Sequence, residues 1–314
     1  MSSNYSKSEL TNIVKEIVIQ HGFSAVGIAK SEAVDLNDKE FFSHWIAQGY
    51  HAQMNYLNNY FDSRMDTTLL VPNSKSVISV ALNYFPESKI PEDQYQIAWY
   101  AYGKDYHEIV KDKLAQVYEE INQITSINGR VFCDTAPIIE RYWAWKAGLG
   151  WIGKNTQLII PKAGSTFFLG EIIIDLELDY DIPQKNRCGS CTRCLQACPT
   201  NALIAPKVLD ANRCISYLTI ENREEIPQEF HLAIGNRIYG CDECLKACPW
   251  TKFATPTKVE QFKMNNDLAQ MNRENWETLT VEKYQQVFKK SAAKRAKITG
   301  IQRNIKVASK NKID

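Results

Sequence analysis

The chain has 314 residues, with 37 Lys and Arg set against 36 Asp and Glu, for a formal net charge of +1. Hydrophobic residues make up 44% and charged residues 23%, the balance of an ordinary soluble globular protein, and the length gives a prior of about two domains. Neutrality excludes a global electrostatic pull toward nucleic acid, and no apolar run approaches the roughly 18–20 residues that a membrane span needs.

Leu10, Ile13, Val14, Ile17 and Val18 recur at helical spacing behind Ser6-Lys7-Ser8-Glu9, which predicts a helix over 6–21 stopped by Gly22. Residues 23–29 read as a strand, 38–48 as a helix ended by Gly49, and 76–82 as a strong strand. Helix returns over 105–124, with Ile109, Leu114, Val117, Tyr118 and Ile121 on its apolar side. Val131-Phe132 reads as a short strand that carries Cys133-Asp134-Thr135-Ala136-Pro137 at its end, and 138–147 as a helix bearing Arg141, Tyr142, Trp143 and Trp145. Residues 158–160 and 167–175 are expected to pair as a hairpin around Pro161-Lys162-Ala163-Gly164-Ser165. A linker is expected over 176–187. Beyond Trp250 the chain is polar and reads as short helical pieces, and from 289 to 312 it carries nine basic residues and no acidic one.

Eight of the nine cysteines lie between 188 and 248. Cys188-x2-Cys191-x2-Cys194-x3-Cys198-Pro199 is the spacing in which three thiolates hold one [4Fe–4S] cube and the fourth reaches to another. Cys241-x2-Cys244-x3-Cys248-Pro249 lacks its first cysteine at the usual distance, and Cys214 replaces it. Crossed ligation then puts one cluster on Cys188, Cys191, Cys194 and Cys248, and a second on Cys198, Cys214, Cys241 and Cys244. Zinc would use paired C-x2-C knuckles but would not call for two C-x3-C-P ends. A disulfide framework is disfavoured because the start of the chain has no apolar signal core. Together these features point to the cytoplasm.

Other candidates carry weaker signals. Gly148-x-Gly150-x-x-Gly153 matches the dinucleotide fingerprint, with Glu171 at a tempting distance, but a helix precedes it and a strand follows, the reverse of the required order. These glycines suit close backbone approach instead. Asp134 is either a turn former or a proton donor, the second role requiring burial to raise its pKa. Cys133 reads as a small buried thiol. Asp105-x-His107-x-x-Val110 is close to a cobalamin-histidine pattern but lacks its glycine, so His107 reads as a surface or pocket residue. The basic tail is either a solvated face or a phosphate-binding surface.

Several of these stretches together resemble the cobalamin-dependent epoxyqueuosine reductases of tRNA modification. The resemblance is carried by Tyr102-Gly103-Lys104-Asp105-Tyr106-His107, by Asp134-Thr135-Ala136-Pro137 with Glu140-Arg141, and by 148–155 ending in Gly153-Lys154-Asn155. The two cysteine runs with Cys214, and Lys294-Arg295 followed by Arg303-Asn304, complete it. It implies an α+β fold: a cobalamin-binding domain over 1–178, similar to reductive dehalogenases and nitroreductases, then a two-cluster ferredoxin-like domain over 179–256. Residues 257–314 would form a helical segment with the basic tail, without the helical-repeat domain of longer members.

The implied reaction reduces the epoxide of epoxyqueuosine at the tRNA wobble position to the alkene of queuosine. Cobalamin would be reduced by the two clusters, and Asp134 would give the proton, with no protein histidine below the cobalt. Asn155 and Ser216 are the first candidates for corrin contacts, followed by Leu57, Ile97, Leu158 and Leu169. The implied partners are the modified tRNA and a low-potential electron donor, with no membrane, and the chain is expected to be a monomer. Two other classes stand beside this reading: a corrin-free ferredoxin-type carrier, and a small-molecule reductive dehalogenase, which usually carries an export signal.

Overall fold

The computed structural model describes residues 5–311. Residues 1–4, which belong to the stretch read as lacking a signal, and Lys312 of the basic tail lie outside it. Helix α1 (Lys7–Gln20) starts at a capping box in which Ser6 Oγ accepts the Glu9 N–H while the Glu9 carboxylate accepts the Ser6 N–H. Strand β1 (Ala25–Lys30), helix α2 (Leu36–Ala47) and the short helices α3 (Phe61–Met65) and α4 (Thr67–Leu70) lead to strand β2 (Ser76–Asn83). After β3 (Gln96–Ile97) comes α5 (Tyr106–Ile124), then β4 (Gly129–Phe132), α6 (Glu140–Lys146), β5 (Trp151–Ile152), β6 (Leu158–Ile159) and β7 (Phe167–Ile174).

Four of these strands form an antiparallel sheet in the order β1-β2-β7-β4. Ile78, Val80 and Leu82 of β2 pack with α1 and α5 on one face. Val77 and Ala81, with Ile173 of β7, pack against Tyr142, Trp143 and Ala144 of α6 on the other. Burial on both faces accounts for the near-continuous apolar runs of β2 and β7.

The expected hairpin of 158–160 with 167–175 does not form. Strand β6 pairs with β5, whereas β7 is taken up on both edges by β2 and β4. Across the turn, a bridge joins Ile160 and Gly164. A doubly buried strand is more stable between two partners than beside a two-residue neighbour. The glycines of 148–153 serve close approach as expected: a Cβ on Gly150 would lie 2.1 Å from the Ile159 carbonyl oxygen.

The cysteine module contains α7 (Arg193–Gln196), β8 (Leu203–Ala205), β9 (Val208–Leu209), α8 (Ile215–Ile220), α9 (His231–Ile234), β10 (Arg237–Tyr239) and α10 (Glu243–Lys246). It is stitched to the rest by β10, which pairs in parallel with β3. The C-terminal pieces α11 (Asn266–Ala269), α12 (Arg273–Glu277), α13 (Val281–Val287) and α14 (Lys297–Ala308) fold back, so one apolar cluster runs from Leu10 through Tyr239 to Ala308. Two residues of the basic tail are structural. Asn304, fully buried, donates to the carbonyls of Thr219 and Ile238, both at 2.8 Å. Arg303 donates to those of Asn222 (2.8 Å) and Leu218 (2.9 Å), so its charge is spent inside the protein.

Candidate active site

Strand β4 ends at Phe132, and Asp134 turns the chain in a left-handed conformation, φ +55°. That conformation costs a non-glycine residue energy and needs support from its surroundings. Glu140, the first residue of α6, supplies it by accepting the Asp134 N–H at 2.5 Å. Asp105 caps α5 by accepting the His107 N–H at 3.1 Å, which fixes the next two side chains over the turn. Tyr106 donates its hydroxyl to Asp134 Oδ2 at 2.5 Å. The two ring nitrogens of His107 face Asp105 Oδ1 at 2.6 Å and Asp134 Oδ2 at 2.8 Å. Tyr106 is sandwiched between Phe168 and His107, both with ring centroids at 4.1 Å. Lys111 Nζ donates to Thr135 Oγ1 at 3.0 Å.

The charges alternate, carboxylate–imidazole–carboxylate. Burial works against the charged form of His107, but hydrogen bonds to Asp105 and Asp134 and their charges outweigh it and push its pKa up to about 9. At neutral pH the imidazole is therefore an imidazolium that donates from both nitrogens. Burial pushes Asp134 up, but the hydrogen bonds from His107 and Tyr106 and the charges of His107 and Arg141 win, holding its carboxyl below the usual range. This corrects the sequence expectation that a donor role would rest on burial raising Asp134. Its side chain is 50% exposed, and of the two protons that point at it the more acidic is that of His107, since burial holds the Tyr106 hydroxyl well above its usual range.

The thiols fall into two sets. Burial pushes Cys194 up, with Cys248 and Cys188 adding to it, and Cys248 in turn feels Cys188 and Cys191. Burial likewise raises Cys244, followed by Cys241, Cys214 and Cys198, while Cys214 feels Cys198. Each of these neighbours falls within the quartet that the spacing expects for it. Among the described residues, no three His, Cys, Asp or Glu side chains converge closely enough to chelate one ion. A four-iron cube holds its thiolates farther apart than a single ion does. Trp151 Nε1 lies 3.5 Å from Cys188 Sγ, and the Ala202 N–H is 3.2 Å from Cys198 Sγ. Gly189 and Ser190 in the first run are exposed, whereas Gly240, Asp242 and Leu245 around the second are buried.

The residues expected at the corrin are dispersed through several layers. Asn155 is buried and donates to the Cys244 carbonyl at 3.2 Å, beside the second quartet. Ser216 follows Cys214 at the start of α8. Leu158 and Leu169 pack in the layer between sheet and α6, Ile97 lies in the opposite core, and Leu57 is half-buried in a 3-10 turn. Cys133 is fully buried, as expected. Sequence reasoning missed Glu140 as the support of Asp134, and it set His107 aside as a surface or pocket residue. The available signal was Asp105 two residues before His107, a capping arrangement that aims the ring.

Residues 64–135 match the family model described as "Epoxyqueuosine reductase QueG, DUF1730", and residues 187–251 match that of a 4Fe-4S double cluster binding domain. An epoxyqueuosine reductase of Cellulophaga algicola is 42% identical over 301 residues, covering 96% of this chain and 98% of that one. The Escherichia coli protein of that name is 38% identical, over 75% of this chain and 63% of its own length. Among solved structures, an epoxyqueuosine reductase with a tRNA-Tyr epoxyqueuosine-modified stem loop superposes with a TM-score of 0.89 at 28% identity, covering 95% and 80% of the two chains. The Bacillus subtilis epoxyqueuosine reductase, with an aspartate-bearing catalytic loop swung out of its active site, gives 0.87 at 27% identity over the same shares. A reductive dehalogenase aligns over 99% of this chain and 37% of its own, with a TM-score of 0.50 and 14% identity, a likeness of fold. No helix among the described residues is long and apolar enough to cross a membrane.

Proposed function

The chain belongs to the epoxyqueuosine reductase family and is an oxidoreductase; from that premise we propose that it reduces the epoxide of epoxyqueuosine in tRNA to the alkene of queuosine, with Asp134 as the proton donor. The reaction consumes two electrons and two protons and releases the epoxide oxygen as water. The observation that carries the reading is the hydrogen-bonded chain Asp105–His107–Asp134. The His107 imidazolium hands its proton to the Asp134 carboxylate through the 2.8 Å contact, Asp134 passes it on to the departing oxygen, and Asp105 holds the ring in place. Tyr106 fixes the same carboxylate oxygen, which leaves Oδ1 for the substrate. A plain electron carrier would have no use for this arrangement.

The two quartets of thiols fit two [4Fe–4S] clusters. Cobalamin, when bound, supplies the low-potential metal chemistry that opens the ring. Asn155 would contact the corrin, a reading supported by its position against Cys244 of the second quartet; Ser216 stands two residues after Cys214 of that quartet. Asp134 would face the cofactor. Both nitrogens of His107 are already engaged by carboxylates, so this histidine would not be among the residues that hold the cofactor. Electrons would enter at the first quartet, where Lys89, Arg193, Lys246 and Lys252 line a groove with Cys191 and Cys248, a surface suited to an acidic low-potential donor.

The test is direct. Anaerobically reconstituted protein, given cobalamin, a low-potential reductant and tRNA bearing epoxyqueuosine, is expected to yield the alkene nucleoside. Cluster-loaded protein that binds the corrin but leaves the epoxide intact would overturn the reading.

A further inference from the structure

Glu171 stands at the centre of β7, opposite Ser79 of β2 on one side and Phe132 of β4 on the other. Its residue is 0% exposed, and neither carboxylate oxygen has a hydrogen-bond partner. The alternation of β7 turns it toward α6, because Leu169 and Ile173, two residues either way, pack in that layer. Ser79 Oγ and Trp143 Nε1, in the same layer, are also unpartnered. The charged group that acts on Glu171 is Glu140, the residue that holds the Asp134 amide. Glu171, enclosed and without a partner, cannot be ionised together with a second carboxylate beside it at reasonable cost. The groups facing this pair are Asp134 and Cys133 from the turn, Arg141 from α6, and His107 and Tyr106 from α5.

We propose that Glu171 and Glu140 share a single proton beneath the Asp134 turn, and that Glu171 is thereby a positioning residue for the proton donor. With one proton between them, Glu140 stays near Glu171 and keeps one oxygen for the Asp134 N–H. With none, repulsion drives Glu140 outward, and the left-handed turn loses its support. Burial raises both carboxyls, with the charge of Asp134 adding to it at Glu140 and that of Glu140 adding to it at Glu171, in agreement with a pair that stays singly protonated at neutral pH. The proposal rests on the active-site reading given above, and it explains why a carboxyl side chain sits in mid-sheet, where an aliphatic one would pack at lower cost.

The test combines a spectrum that needs no turnover with a rate. Infrared difference spectra of the cluster-loaded protein are expected to show the carbonyl band of a protonated buried carboxylic acid at neutral pH, lost on alkaline titration and absent in Glu171→Gln. In single-turnover assays, the alkaline fall in rate due to the pair is expected to vanish in Glu171→Gln, because a neutral amide cannot create the double charge. Glu171→Leu is expected to speed hydrogen exchange of the 133–139 backbone and to lower kcat about tenfold with KM for tRNA unmoved. If Glu171→Leu does not fold, as judged by iron content, Glu171→Gln carries the test alone. A wild-type protein without the band, or one whose band survives in Glu171→Gln, would overturn the proposal. The band and its loss in a protein that cannot reduce the epoxide would instead overturn the functional reading and leave the acid pair standing.

Discussion

The cysteine module and the Asp134 pocket solve the problem of buried charge in opposite ways. In the module, Cys194, Cys214, Cys241, Cys244 and Cys248 are all pushed up by burial and then by one another. Such a set is completed by metal, which takes the thiolates as ligands and supplies the missing positive charge. In the pocket, carboxylates alternate with an imidazolium, and Tyr106 and backbone groups take up the remaining lone pairs. That network is held by protein atoms alone. The module should therefore fail when metal is withheld, and the pocket when pH or a single proton carrier is changed.

The largest expected effect falls on the module. Cys214 comes from a separate turn before α8, and Cys198 is the thiol that adds to the effect of burial in raising it. Cys214→Ser is expected to lower bound iron from about eight to about four or fewer per chain, because one cube loses a ligand. Cys133→Ser, a change at a buried thiol outside both quartets, should leave iron where it was. Iron equal to wild type in Cys214→Ser would break the contrast, since the second quartet would then not need its fourth thiol.

Asp134→Asn attacks the pocket and should spare the module. An amide keeps the shape and still meets Tyr106 and His107, but it cannot pass a proton to the departing oxygen. Losing general-acid help costs about 10²–10⁴ in rate. Single-turnover reduction is expected to fall at least about a hundredfold, with iron content and corrin binding retained. A variant that turns over at the wild-type rate would mean that the proton comes from elsewhere; one that loses the corrin would make Asp134 a binding residue.

The same contrast decides what the sequence discloses. Seven of the eight thiols sit in two short runs whose spacing is itself the chemistry, and a two-cluster module could be read before any fold was known. The helices α1 and α5 were legible for a similar reason, since their caps and apolar stripes are local. The pocket is not local. It joins the start of α5 to the end of β4, the start of α6 and the middle of β7, and no spacing in the chain encodes that meeting. Glu171 was noticed only as part of a false dinucleotide match. The hairpin of β6 with β7 failed because a doubly apolar strand does not name its partners, and Arg303 entered the basic tally although carbonyls enclose it.

A gentler probe of the pocket is the pH dependence of stability. The pKa of His107 is raised from 6.5 to about 9 in the folded protein. A group whose folded value lies above its unfolded one stabilises fully below the unfolded pKa, and the benefit is lost as pH rises through the folded one. The Tm advantage of wild type over His107→Gln is therefore expected to be constant below about pH 6.5 and to shrink on the way to about 9. An advantage that grows with pH would show that the imidazole is neutral in the fold. That result would remove the proton reserve from the mechanism.

The smallest expected effect tests how the substrate spans the two regions. The 3-10 turn Ala292–Ala296 and the start of α14 lie between them: Arg295 pairs with Glu221 through two 2.8 Å contacts at the end of α8. Its guanidinium also lies 5.8 Å from the ring of Tyr56, whose hydroxyl in turn feels the charge of Asp134. Lys294 and Lys297 are exposed beside it. If the tRNA backbone crosses this seam, each lysine neutralised to Gln should reduce the slope of log binding constant against log salt by about 0.7–0.9. Arg295→Gln should reduce it less, because Glu221 already takes up much of that charge. Turnover at saturating tRNA should survive, since none of the three touches Asp134 or a thiol. A slope unchanged in the Lys294→Gln/Lys297→Gln double variant would leave the exposed part of the tail a solvated face, and would move the search for the tRNA contact to the rim around Tyr56 and Tyr60, where two exposed rings offer stacking in place of charge.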